Sequence, residues 1–185
     1  MRIIAGKFKG RQIKAARGEV TRPTTDKIKE NVFNIMGQFF DGGQALDLFA
    51  GSGNLAIEAI SRGIDNAVLV DKNQLAIKTI KENVAHLNIQ DKTEIYRNDA
   101  FKALNVLGKR QHAFDLIFLD PPYGKISITS LLADILKQQL LNKGGLIMCE
   151  FGIDEDVQFD PSQLMEIRRE VYGNIEILIL EKVGA

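Results

Sequence analysis

From residue 44 onward the chain repeats one pattern: a short apolar run, a loop, then a longer amphipathic stretch. Strands fit at 44–49, 66–70, 93–96, 114–119 and 144–150, with helices between them at 53–62, 73–87, 99–107 and 126–140. Strands that alternate with helices of about ten residues build βαβ units on a parallel sheet. The run Phe114-Asp115-Leu116-Ile117-Phe118-Leu119 is almost wholly apolar, as a strand covered on both faces must be. The tail breaks the pattern. Glu166–Tyr172 and Ile175–Val183 are two alternating runs around Gly173-Asn174, which reads as an antiparallel hairpin closing the sheet edge. Ahead of the alternation, residues 2–5 and 11–14 flank Gly6-Lys7-Phe8-Lys9-Gly10 and read as a basic β-hairpin. Next, Thr24 or Thr25 can cap a helix through Ile28, Val32, Phe33, Ile35 and Met36, with Gly42-Gly43 as its breaker.

A length of 185 residues suits one α/β domain with a sizeable core. The apolar runs are all too short to span a bilayer, and Met1–Lys7 lacks the apolar core of a signal peptide. The single Cys149 sits in the apolar run Leu146–Cys149 and reads as a buried thiol in a reducing, cytoplasmic setting. His86 and His112 lie in no catalytic pattern, and no metal site is indicated. Nothing in the sequence demands more than a monomer.

In open sheets of this kind, ligands bind at the carboxyl ends of the strands, so the residues that follow each apolar run are the candidates. After the strand at 114–119 comes Asp120-Pro121-Pro122-Tyr123. A carboxylate accepts hydrogen bonds from an amino group, two prolines are rigid, and a tyrosine offers a stacking face. These parts suit the grip of a flat, amine-bearing ring. The bland reading is a strand-stopping turn. It loses ground because two further strand ends carry matching chemistry.

The first of these is Asp47-Leu48-Phe49-Ala50-Gly51-Ser52-Gly53-Asn54-Leu55-Ala56, which joins a strand to its helix. Gly51 and Gly53 allow a tight turn and close approach of a ligand to the backbone, and the helix start offers free N–H groups. The second is Asp71, 20 residues beyond Gly51, where such folds hold ribose hydroxyls. An adenosine-bearing cofactor follows. Gly51-x-Gly53-x-x-Ala56 also satisfies the loose dinucleotide fingerprint, so a nicotinamide enzyme is a competing reading. Asp47 counts against it, since a carboxylate beside the loop suits a cationic ligand such as S-adenosylmethionine better than a pyrophosphate. The chain also offers no obvious substrate domain for hydride transfer. Asp99, followed by Ala100, stands at the next strand end and can face the adenine amino group or cap the following helix.

Charge is distributed unevenly. Residues 1–22 carry net +6 and the remaining 163 carry net −6, although the whole chain is neutral. A basic arm of residues 1–22 before a body of residues 23–185 is a hint of nucleic-acid binding. Lys7, Lys9, Arg11 and Arg17 are then candidate phosphate contacts, which position a nucleic acid without reading its sequence. Arg22 and Thr24, at the junction, are candidates to touch a target nucleotide or the cofactor carboxylate. Alternatively they form a helix cap and a surface ion pair.

With these residues assembled, the chain resembles class I S-adenosylmethionine-dependent methyltransferases, and more closely the RsmD family of 16S ribosomal RNA guanine-N2 methyltransferases. The resemblance rests on Met1–Gly6 with Lys9-Gly10-Arg11, Thr21–Asp26, Leu46–Gly53, Glu58-Ala59-x-Ser61-Arg62-Gly63, Phe118–Tyr123 and Tyr172-Gly173. It implies a Rossmann-like, seven-stranded, mostly parallel sheet whose last strand is antiparallel, preceded by a β-hairpin. It implies S-adenosylmethionine as methyl donor and 16S ribosomal RNA as partner, within the small subunit or an assembly intermediate. The physical reading alone leaves other targets open. Adenine-N6 methylation of a nucleic acid uses the same tetrapeptide, and a non-catalytic RNA-binding assembly factor would keep the same fold.

Overall fold

Residues 1–17 and 23–184 are described by a computed structural model. Helix α1 (Pro23–Met36) leads into β1 (Gln44–Asp47), α2 (Asn54–Ser61), β2 (Asn66–Asp71), α3 (Gln74–Leu87) and β3 (Thr93–Arg97). Then come α4 (Ala100–Lys109), β4 (Phe114–Leu119), α5 (Ile128–Lys137), β5 (Leu141–Gly152), β6 (Leu164–Tyr172) and β7 (Ile175–Lys182). The seven strands form one sheet in the order β3-β2-β1-β4-β5-β7-β6. β1 pairs in parallel with both β2 and β4, so the chain winds outward in both directions from this pair. That reversal leaves a crevice at the carboxyl ends of β1 and β4, where the folding rules put a ligand. β7 runs antiparallel between β5 and β6, so the tail hairpin inserts its second strand beside β5 and leaves β6 at the edge.

Strand side chains alternate between two buried layers, as the two-residue period of a strand requires. Leu116, Phe118, Met148, Ile177 and Ile179 pack with α1, α2, α3 and the N-terminal segment. Ile117, Leu119, Cys149, Leu178 and Leu180 pack with α4 and α5 on the other face. Cys149 is fully buried, and that burial pushes its thiol far above the ordinary range. It is a core residue.

Three local expectations are corrected. Helix α1 already begins at Pro23, so Thr24 and Thr25 lie within its first turn and not at the cap position. Proline suits the first helical position because its missing N–H is an orphan there anyway. The same helix stops at Met36, ahead of Gly42-Gly43, because Gly37 follows with φ 143°, a backbone no helix continues. β5 starts three residues earlier than the apolar run, with a register irregularity against β4 between Phe114 and Leu116.

The N-terminal segment is narrower than a two-strand ladder. A single bridge joins Arg2 to Gln12, supported by Ile3 N–H donating to Arg11 O and Ile13 N–H donating to Met1 O, both at 3.0 Å. It is also sewn to the body. Ile3, Phe8 and Ile13 are buried in the same layer as α1 to α3. Lys7 N–H donates to Ser61 O at 2.7 Å and Phe8 N–H to Ser61 Oγ at 2.9 Å. Gly6 lies so close to α2 that a Cβ there would sit 1.8 Å from Ser61 O, which explains the glycine. Further along, Asn83 of α3 accepts from Lys14 N–H at 2.8 Å and donates to Lys14 O at 2.9 Å.

Candidate active site

At the carboxyl ends of the strands lies a cleft of about 970 Å³. Each strand end contributes one or two groups, and each is set by local backbone chemistry. β1 delivers Asp47, which is 2% exposed, and then the turn Phe49-Ala50-Gly51. Gly51 has φ 56° and Gly53 φ 84°, so the chain turns tightly into α2 without a side-chain cap. Gly53 must also be small, since a Cβ there would meet Leu69 and Ile57 at 3.1 and 3.2 Å.

β2 ends in Asp71. Its Oδ2 accepts from Gly51 N–H at 2.9 Å and its Oδ1 from Asn73 N–H at 2.8 Å. The carboxylate therefore ties the glycine turn to the start of α3 and is held at the cleft. Asp99, after β3, caps α4 by accepting from Lys102 N–H at 3.2 Å and also lines the cleft with Ala100. The cap reading of Asp99 is borne out, and it leaves acceptor sites on the carboxylate for a ligand in the cleft.

β4 ends in Asp120, buried Pro121, exposed Pro122 and Tyr123, all on the cleft. Tyr123 is 46% exposed, and its hydroxyl donates to Glu150 Oε1 at 2.6 Å. The turn between β6 and β7 closes the far wall with Tyr172 and Gly173. Tyr172 donates to Glu170 Oε2 at 2.5 Å and accepts from Asn31 at 3.1 Å, which fixes this wall to α1. Burial, then the Glu170 bond, raise the Tyr172 phenol above its ordinary value, so it stays neutral.

Of the candidate cofactor residues, Asp47, Phe49, Ala50, Gly51, Asp71, Asp99 and Ala100 line the cleft. Ser52 and Gly53 do not. Ser52 is fully buried beneath the turn, with its hydroxyl 3.4 Å from Met1 Sδ and its carbonyl accepting from Asn83. The basic candidates divide. Arg17 lines the cleft beside Met1 and Ala16. Lys7 and Lys9 are exposed on the tip that packs at Ser61, the far end of α2, roughly 12 Å from the glycine turn for a helix of eight residues. Arg11 donates to His86 O at 3.0 Å, at the far end of α3. Arg22 lies outside the described residues, as does the side chain of Thr24.

Two residues that line the cleft carry little mark in the sequence. Glu150 ends the apolar run of β5 just as Asp120 ends that of β4, and the same strand-end rule finds it. Lys29 is different. It sits among Ile28, Val32 and Phe33 on α1, is 2% exposed, and no pattern sets it apart. Its Nζ donates to Arg2 O at 2.7 Å and Asn54 Oδ1 at 2.8 Å, and pairs with Glu58 at 3.0 Å. Burial lowers the Lys29 pKa, with Glu58 opposing that shift. Glu58 in turn pairs with Arg62 at 2.9 Å and accepts from Ile4 and Ala5 N–H. This buried triad explains the run Glu58-Ala59-x-Ser61-Arg62-Gly63. It fastens the N-terminus, α1 and α2 together at the cleft's edge.

The donor and acceptor set fits one kind of ligand. Asp47, Asp71, Asp99, Asp120 and Glu150 place five carboxylates around the cleft, with Phe49, Leu55 and Ile126 as apolar walls. A diol, an aromatic amine and a cationic centre all find acceptors there. A pyrophosphate would face those same carboxylates unfavourably.

Comparisons with known proteins agree. The family model described as conserved hypothetical protein 95 matches residues 1–181. The chain is 45% identical to "Putative rRNA methyltransferase YlbH" of Bacillus subtilis, with 100% of both chains covered. It is 26% identical to "Ribosomal RNA small subunit methyltransferase D" of Escherichia coli, over 98% of this chain and 90% of that protein. Among solved structures, "Putative methyltransferase yhhF from Escherichia coli" superposes with a TM-score of 0.84 at 26% identity, covering 98% of this chain and 97% of that one.

Proposed function

Because the chain belongs to the conserved hypothetical protein 95 family, the RsmD family of ribosomal RNA methyltransferases, we propose that it methylates the exocyclic N2 amine of a guanine in 16S ribosomal RNA. Its activity is S-adenosylmethionine-dependent methylation of ribosomal RNA. The finer reading is guanine N2 in the small subunit or its assembly intermediate, by a cytoplasmic monomer, and membership of the family favours guanine N2 over adenine N6. That the acceptor is a flat amine is supported above all by one observation. An ordered carboxylate, two prolines and a half-exposed tyrosine stand at the end of β4, across the cleft from the glycine turn and Asp71. No helix among the described residues is long and apolar enough to cross a membrane.

When bound, S-adenosylmethionine supplies an electrophilic methyl group on a sulfonium whose departure as a neutral thioether balances the new N–CH₃ bond. The residues of the chain hold and align. Asp71 would accept from the ribose hydroxyls, Asp99 from the adenine amine, and Asp47 would face the cationic end, with Phe49, Ala50, Gly51 and Ala100 shaping the walls. Ser52 and Gly53 act from beneath by setting the turn. An aromatic amine is a poor nucleophile because its lone pair is delocalised into the ring. Asp120 and the Pro121 carbonyl would accept its two hydrogens and favour a pyramidal nitrogen aimed at the methyl, a gain in alignment more than in acid–base chemistry. Tyr123 would stack on the base, worth about 1–3 kcal/mol. The proton leaves to solvent after transfer, when the nitrogen has become acidic.

A base inside structured RNA must be flipped or presented before this cleft can reach it. Arg17 at the rim, with Arg22 and Thr24 next in sequence, would meet the target nucleotide's neighbours. Lys7, Lys9 and Arg11 would touch phosphates about a helix length away. Incubation of the protein with labelled S-adenosylmethionine and small-subunit particles from cells lacking it, followed by nucleoside mass analysis, tests the proposal. N2-methylguanosine is expected. N6-methyladenosine would replace the proposal with the adenine reading, and RNA binding without transfer would leave only an assembly factor.

A further inference from the structure

Glu150 lines the cleft without a contact to the substrate assigned to it, and its position on the sheet is defined. Leu119 and Cys149 are register partners on the parallel pair β4 and β5. Asp120 and Glu150 are therefore the next residues of two neighbouring strands, roughly 5 Å apart across the sheet. Phe118 and Met148 belong to the buried layer on the α1 side, as does Ile177, the antiparallel partner of Glu150. By the two-residue period, Asp120 and Glu150 project to that same side, into the cleft. The Tyr123 hydroxyl donates to Glu150 at 2.6 Å, which orients both the ring and the carboxylate.

Two adjacent carboxylates next to an aromatic plate form a row of acceptors. Guanine presents two adjacent donors on its Watson–Crick edge, N1–H and the N2 amine. Adenine presents an acceptor at N1 beside the donor at N6. A second carboxylate beside the one holding the amine therefore accepts from guanine and opposes the N1 lone pair of adenine. Discrimination built on such an opposed group is stronger than attraction alone. Resting on the proposed guanine-N2 chemistry, we infer that Glu150 is a specificity-determining residue that accepts N1–H of the target guanine while Asp120 holds its amine. Tyr123 is the positioning residue that aims it.

The test uses 2-aminopurine, which keeps the 2-amine but carries a bare lone pair at N1. Full-length protein is assayed on reconstituted small-subunit particles with either guanosine or 2-aminopurine at the nucleotide the wild type modifies. The readout is the ratio of kcat/KM for the two. Wild type should favour guanosine by about 10- to 100-fold, the loss expected for one charge-assisted hydrogen bond. Glu150→Gln can turn an amide donor toward N1, so its ratio should fall toward one. Tyr123→Phe removes the bond that aims the carboxylate but keeps the stacking ring, so its ratio should fall part of the way toward one, and a ratio equal to wild type would refute the positioning role of the hydroxyl. An unchanged ratio in Glu150→Gln, with guanosine still methylated at N2, overturns the inference. A wild type that does not methylate guanine N2 overturns the proposed function instead, so the two failures are told apart.

Discussion

Replacement of Glu58 by glutamine should both destabilise the protein and release its N-terminus. Glu58 is completely buried and faces two cations whose side chains are 1% and 3% exposed, Lys29 and Arg62. It also accepts from the backbone N–H groups of Ile4 and Ala5 at about 3 Å. Glutamine keeps the shape but leaves two buried cations around a neutral amide. Breaking a buried ion pair from one side destabilises by about 3–5 kcal/mol, a large share of the roughly 5–15 kcal/mol that holds a typical domain together. For a chain of this size that corresponds to a fall in Tm of about 6–20 °C. The exposed pairs Arg2–Asp26 and Lys14–Glu82 cannot compensate, since surface pairs contribute about 0–1 kcal/mol. Urea unfolding of Glu58→Gln gives the first number. Amide exchange at Ile4, Ala5 and Lys7 gives the second, because these N–H groups are bonded to α2 only while the segment is docked. A variant within about 1 kcal/mol of wild type that keeps those amides protected would refute the view that the N-terminus is held by this triad.

Three further outcomes are expected. Asp71→Ala removes the acceptor that ties Gly51 to Asn73 and should weaken S-adenosylhomocysteine binding by about 10- to 100-fold in calorimetry, with an unchanged Kd counting against the assigned role. Lys7→Ala with Lys9→Ala should lower the salt slope of RNA affinity by about one per lysine without changing the transfer rate at saturation, because both lie at the far end of α2. A loss of rate at saturation would contradict that placement. Glu82, Asp160 and Glu170 are held below the ordinary carboxylate range, chiefly by hydrogen bonds from Lys14, Ser162 and Tyr172. Folded-state values below the unfolded ones mean that their stabilisation is complete above that range and is lost as pH falls through it. The urea midpoint should drop between about pH 6 and about pH 3, and a flat profile would contradict the assignment.

Particular residues show how far the sequence carries. The run Phe114–Leu119 can only be a strand covered on both faces, and the structure buries it so. Asp71 and Asp120 are legible because each closes an apolar run, and Asp47 and Asp99 because each lies at or just after a strand end, where an open sheet binds ligands. Glu150 obeys the same rule, but its role needs the register with β4 and the bond to Tyr123. Lys29 is illegible for a physical reason. A lysine on the buried stripe of α1 is tolerated only because Glu58, distant in sequence, meets it, and helical periodicity carries no trace of such a partner. The N-terminal charge suggests a projecting arm, whereas Ile3, Phe8 and Ile13 bury one side of the segment and leave its cations on the other. Removing the first 18 residues would therefore strip the core as well as the charge, so charge substitutions are the cleaner probe of RNA contact.

The claim at the centre is that Asp120 holds a guanine amine for methyl transfer in this cleft. The most direct measurement is the labelled-nucleoside profile of ribosomal RNA after reaction with wild type and with Asp120→Asn, at cofactor concentrations that saturate both. Wild type should yield N2-methylguanosine, and Asp120→Asn should bind cofactor yet transfer at most about one hundredth as fast. Label in N6-methyladenosine, or an Asp120→Asn rate equal to wild type, would contradict it.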